Sequence, residues 1–80
     1  MRYKRLHYTR HAKQRMTERN ISEADVLGVL NGADLTYPSY GKRVAESVFE
    51  GDRLLRIVFI DTPEAVTDAR IISAIDLEEG

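Results

Sequence analysis

Apolar positions recur at helical spacing through the first thirty residues and at strand spacing thereafter. Ala12 and Met16 fall four apart in a segment, Arg10 to Arg19, that contains no helix breaker. Thr9 is placed to cap this helix, and Asn20 suits a left-handed stop at its end. A second helix opens at Ser22, with Asp25 three residues on as a variant of the capping box, and Ile21 and Val26 stand where a hydrophobic staple forms. Val26, Leu27 and Leu30 give it a core face, and it runs to about Leu30 before Asn31-Gly32. Leu6 to Tyr8 reads as a short strand or an extended lead-in to the first helix.

The remainder reads as β-structure. Leu35 to Tyr37 is a short strand stopped by Pro38 and the Ser39-Tyr40-Gly41 turn. Arg43 to Glu50 and Arg53 to Asp61 flank Gly51-Asp52, which predicts a two-residue hairpin loop. Arg53 to Asp61 is apolar on both faces, with Leu55, Ile57 and Phe59 on one and Leu54, Val58 and Ile60 on the other, as a central strand requires. Thr62 to Asp68 is a loop, Arg70 to Leu77 a last strand, and Glu78-Glu79-Gly80 an acidic tail. The pattern predicts an α+β fold: two N-terminal helices packed on one face of a three- to four-stranded antiparallel sheet, with residues 1–80 as a single domain.

Composition narrows the classes. Eighty residues bury only a small core, and with no cysteine there is neither a disulfide staple nor a thiolate zinc site. Stability then rests on packing, which favours a partner chain or a homo-oligomer. The apolar run Ile57 to Ile60 is far short of a membrane span, and no apolar stretch follows the basic N-terminus as in a signal peptide. The expected setting is cytoplasmic.

Charge changes the picture more. The formal net charge is −1, yet the first twenty residues carry seven cations (Arg2, Lys4, Arg5, Arg10, Lys13, Arg15 and Arg19) against Glu18 alone. The other sixty hold five cations against twelve acids. Such a split marks either a polyanion-binding face or an ordinary solvated charge block.

Spacing sharpens that choice. His11, Arg15 and Arg19 fall four apart beside the Ala12/Met16 stripe, forming a row roughly 12 Å long. Like charges at this spacing repel, so a bound anion would explain why they are kept. Arginine forks onto phosphate oxygens, and an imidazole whose proton the neighbouring arginines discourage serves as a general base. Together they could take the proton of an RNA 2′-hydroxyl and stabilise charge on the phosphate, with no metal or other cofactor. The plainer reading of His11 is a surface or capping histidine, and of Arg15 and Arg19 a solvated face or ion pairs with the acidic second helix. Arg10 and Lys13 add to the basic face. Arg56 sits among apolar neighbours of the central strand, where either a sheet carboxylate or a substrate phosphate must satisfy it. His7 and His11 have metal-like spacing without a third ligand, Ser47 and Ser73 lack an evident acid–base partner, and Tyr8, Tyr37 and Tyr40 are available to stack on bases or to be buried structurally.

The stretch Tyr8-Thr9-Arg10-His11-Ala12-Lys13-Gln14-Arg15-Met16-Thr17-Glu18-Arg19-Asn20-Ile21-Ser22 resembles the small bacterial domain-of-unknown-function family marked by His-Ala-x-x-Arg-Met-x-x-Arg-x-Ile-Ser. That family is placed with the barnase, EndoU, colicin and RelE-like ribonucleases, many of them toxins of toxin–antitoxin pairs or polymorphic toxin systems. The resemblance is dense over residues 8 to 30 and looser through the sheet. It implies a RelE-like fold, His11, Arg15 and Arg19 as functional residues, and Ser73 at the place where relatives carry Thr or Ser on the last strand. RelE-like relatives often use a late Tyr or His, and here neither occurs after Tyr40, so the general acid is unassigned.

Two functions are therefore expected in competition. The first is a metal-independent endoribonuclease of toxin type, acting on mRNA or tRNA and neutralised by a cognate antitoxin. It would use His11, Arg15, Arg19 and Ser73 catalytically, with Arg10, Lys13 and Arg56 on the RNA. The second is a non-catalytic module that holds nucleic acid or an acidic partner. A purely structural domain, its basic face covering a dimer interface, stands third.

Overall fold

The computed structural model describes residues 3–49 and 53–77, the side chain of Phe49 excepted. Arg2, the Gly51-Asp52 loop and the acidic tail lie outside the described residues. The element order is β1 (Arg5–Tyr8), α1 (Arg10–Glu18), α2 (Glu23–Gly32), β2 (Leu35–Ser39), β3 (Lys42–Phe49), β4 (Arg53–Asp61) and β5 (Asp68–Asp76).

The two helices form for the reasons their termini give. Thr9 caps α1 through its side-chain oxygen, which accepts the Ala12 N–H at 3.1 Å. At the other end Asn20 turns left-handed (φ 56°), the Ile21 N–H reaches the Met16 carbonyl at 2.8 Å and the Asn20 N–H that of Thr17 at 3.4 Å. This is a Schellman ending, with buried Met16 and Ile21 as its apolar pair. Ser22 and Asp25 close a reciprocal capping box on α2 at 3.0 Å in each direction.

The sheet departs from the sequence expectation. Among the described residues it has five strands in the order β1-β5-β4-β3-β2, and it is mixed: β1 runs parallel to β5, while the other three pairings are antiparallel. The expected three- to four-stranded antiparallel sheet is thus corrected by the extended segment before α1. Its four residues pair in register with Asp68 to Ile71 as an edge strand. The physical reason is that β5 would otherwise bury only one ladder. The lead-in supplies the second, and α1 is the connection that carries the chain away, as a parallel pair needs a crossover. Arg53 to Asp61 is the central strand, as its two apolar faces require. Pro38 lies inside β2, where an edge position tolerates a missing donor.

Both helices pack on one face, α1 chiefly on β5 and α2 on β3 and β4. There Ala12, Met16, Val26, Val29 and Leu30 meet Ala45, Leu55, Ile57, Phe59, Ala69, Ile71 and Ala74 in one core. Tyr3 closes its edge: the ring meets Phe59 edge-on at 5.7 Å, and its hydroxyl donates to Asp61 at 2.5 Å. Among the described residues, no helix covers the opposite face. Strand register puts Leu54, Arg56, Val58, Ile60, Ser73 and Ile75 there, flanked by Leu35 and Val48, each more than half exposed.

Candidate nucleic-acid interface

Thr9 decides where the basic helix lies. Its N–H donates to the Ile71 carbonyl at 3.1 Å and its hydroxyl to the Ile72 carbonyl at 3.3 Å, so α1 starts at the point where β1 ends on β5. At the far end the Arg19 carbonyl accepts from Arg53 Nη2 at 3.1 Å, and Arg53 Nε lies 3.1 Å from Asp76. The helix therefore travels alongside the second half of β5, from Ile72 to Asp76. Buried Ala12 and Met16 anchor it, which leaves His11, Arg15 and Arg19 along one flank.

Within that row the three residues differ. His11 is exposed and, among the described residues, has no side-chain hydrogen bond or ion pair; Arg10, next to it in the first turn, is equally exposed and free. Arg15 Nη1 donates to Glu18 Oε1 at 2.8 Å, and Arg19 reaches the same oxygen at 4.0 Å. Hydrogen bonds from Gln14 and Arg15 hold the Glu18 carboxyl below its usual range. The ion-pair reading thus applies in part, but the partner is Glu18 on the same helix, and its one charge is shared between two guanidiniums. Arg19 is the least exposed of the row, and its buried Nε finds no acceptor among the described residues. Lys13 belongs to the other flank, 2.6 Å from Glu23 and 4.9 Å above the Tyr8 ring. There it borders an open depression of about 370 Å³ between the end of α1 and the start of α2, lined also by Met16, Thr17, Asn20 and Ile21.

Ser73 and Arg56 stand on the uncovered sheet face. Ser73 pairs with Val58 next to a β-bulge, where Ile72 is the extra residue and also the one Thr9 holds. The first turn of α1 and Ser73 are thereby tied through adjacent residues. Arg56 does not join them. Its Nε lies 3.0 Å from Glu46 Oε2, which also accepts the Tyr37 hydroxyl at 2.5 Å, a cross-strand network over β2, β3 and β4. That network lowers the Glu46 pKa, the Tyr37 bond first, and raises that of Tyr37. Of the two satisfiers open to Arg56, a sheet carboxylate is the one in place.

Sequence reasoning missed one cluster. His7 Nε2 lies 2.9 Å from Asp68 Oδ2 where β1 meets β5, and Arg5 and Arg70 are the cross-strand partners of Asp68 and His7. Only the parallel pairing assembles it, and the one signal available was the four-residue lead-in itself. Among the described residues, no three or more His, Cys, Asp or Glu side chains gather as a metal site. Nor is any helix long and apolar enough to cross a membrane.

No curated protein and no solved structure matches the chain. A family model does, over residues 8–76, from the residue before the Thr9 cap to the end of β5. The match covers most of the chain, takes in α1 and the whole of the strand it packs on, and places the protein in the domain of unknown function family DUF4258.

Proposed function

We propose that the protein is a small RNA-binding domain that cleaves its ligand without a metal, a toxin-type endoribonuclease of the barnase, EndoU and RelE-like kind. The observation that carries this reading is the first turn of α1. Arg10 and His11 stand exposed there with no partner among the described residues, and Arg15 and Arg19 continue the row with a single shared carboxylate. An anion completes that arrangement better than any described side chain does.

The chemistry follows from the groups. His11 takes the proton of a 2′-hydroxyl, the 2′-oxygen attacks phosphorus, and the bond to the 5′-oxygen breaks, that oxygen taking a proton from solvent water, to leave a 2′,3′-cyclic phosphate and a 5′-hydroxyl. Arg15 and Arg19 bind the non-bridging oxygens as charge builds on them. Ser73 follows Ile72, whose carbonyl Thr9 holds, and is tied to the same turn in that way. A cognate antitoxin would silence the domain by laying acidic side chains along α1.

Incubating mRNA or tRNA with the protein in EDTA tests the reading. Cleavage with cyclic phosphate ends is expected, and loss of about 10²–10⁴-fold in His11→Ala, the usual worth of a general base. Intact RNA with the folded wild-type chain would overturn catalysis. A second reading, binding without cleavage, is favoured by one observation: no acid or base is bonded to His11 among the described residues. It predicts RNA affinity that falls with salt, needs Arg15 and Arg19, and is indifferent to His11→Ala.

A further inference from the structure

We propose that the β1–β5 edge of the uncovered face is a second phosphate-binding subsite, with Arg70 as its main contact and His7 and Arg5 beside it. Its ligand is a further phosphodiester of the RNA strand that α1 holds, so the inference rests on the RNA reading above.

Register places the groups. In the parallel pair β1–β5, Arg5 stands opposite Asp68 and His7 opposite Arg70, and residues opposite one another share a face. Across β5, Arg70 pairs with Ile60, so His7, Arg70 and Ile60 form one row over three strands. Three basic side chains are thus gathered about one carboxylate. Asp68 already accepts from His7 at 2.9 Å and from Thr67 at 3.3 Å, and its half-exposed imidazole partner contrasts with its own near-burial. The His7 bond, with Arg5 nearby, holds the Asp68 carboxyl below its usual range. An ionised carboxylate only accepts, so Nε2 of His7 carries the hydrogen that joins it to Asp68.

Asp68 is thereby occupied, and Arg70 is exposed and makes no ion pair or side-chain hydrogen bond with any described residue. Charged side chains on an edge strand guard it against pairing with other chains, which accounts for Arg5 and His7 on β1. It does not account for Arg70, because β5 is an interior strand. Nor does stability, since Arg70 gains no ion pair or side-chain hydrogen bond from any described residue there. An anion lying on the row explains both. The subsite is also continuous with the helix: His7 and Arg5 share one face of β1 about 6–7 Å apart, and β1 leads through Tyr8 and Thr9 into the turn of Arg10 and His11.

The test uses a short, unstructured, fluorescein-labelled 2′-O-methyl RNA, which has no free 2′-hydroxyl and so cannot be cut during the measurement. Anisotropy would be followed from roughly 50 to 200 mM salt. Arg70→Ala should bind several-fold more weakly and lose about 0.7 from the slope of log affinity against log salt, the share of one single-strand phosphate. Arg70→Lys should keep the slope, and Lys42→Ala, an exposed cation at the β2–β3 turn, should change nothing. Wild-type affinity and slope in Arg70→Ala, alongside weakened Arg15→Ala, would remove this subsite and leave the α1 reading standing. Absence of salt-dependent binding by the wild-type chain would remove both.

Discussion

Thr9 shows how much of this surface depends on one side chain. Its oxygen caps α1, its hydroxyl holds the Ile72 carbonyl at the bulge, and its N–H continues the β1–β5 ladder. Replacing it with Ala removes a cap and leaves a carbonyl short of a donor, at a cost of about 1–2 kcal/mol. Thr9→Ser should recover most of that, and urea denaturation midpoints of the two variants check it. The cap was legible because Thr before a helical run has a mechanism attached. The second bond was not, since Ile72 lies 63 residues away and only the fold brings it there. The same holds for Arg70, which in the sequence is one more cation of an acidic stretch and beside His7 becomes the exposed member of a cluster.

Elements were read well where local chemistry settles them. The helices, the central strand and the antiparallel pairing of β3 with β4 follow from caps and alternation. Strand β1 was ambiguous because four residues carry too little periodicity, and its partner is the last strand. The β2–β3 turn offers an element-level test. Tyr40 and Gly41 both have positive φ, 50° and 79°, the geometry of a tight hairpin, but Tyr is poorly suited to the first of those positions. The residue is 98% exposed, so packing does not offset the strain. Tyr40→Asn should raise stability by about 0.5–1 kcal/mol, read as a higher denaturation midpoint. If that variant also weakens RNA binding, the exposed ring has a stacking role that justifies the strained turn.

At the scale of the molecule, folding and charge are linked through a few groups. Glu18, Glu46 and Asp68 have carboxyls held below their ordinary values of 4.5, 4.5 and 3.8. Their contribution to stability is present above those values and is lost as pH falls through the lowered ones. The Tyr8 hydroxyl is pushed up from 10.0 to about 12, first by burial and then by Glu23. A raised value works in the other direction: the contribution is complete below pH 10 and disappears as pH rises from 10 toward 12. Urea midpoints should therefore stay level near neutrality and fall at both ends, and Tyr8→Phe should blunt only the alkaline fall. Charge asymmetry was the part of the candidate site that composition could express, because it needs no fold. The division of the candidate residues between the flank of α1 and the uncovered sheet face could not be read that way, since it depends on sheet order.

The pairing of the first strand with the last has a temporal side. Translation delivers β1 and α1 first, but the strand that seats both of them is β5, which emerges last of the elements. Until it leaves the ribosome, Ala12 and Met16 have no wall to bury against, and a nine-residue helix alone is marginal in water. The basic flank is therefore assembled only once β5 has joined β1.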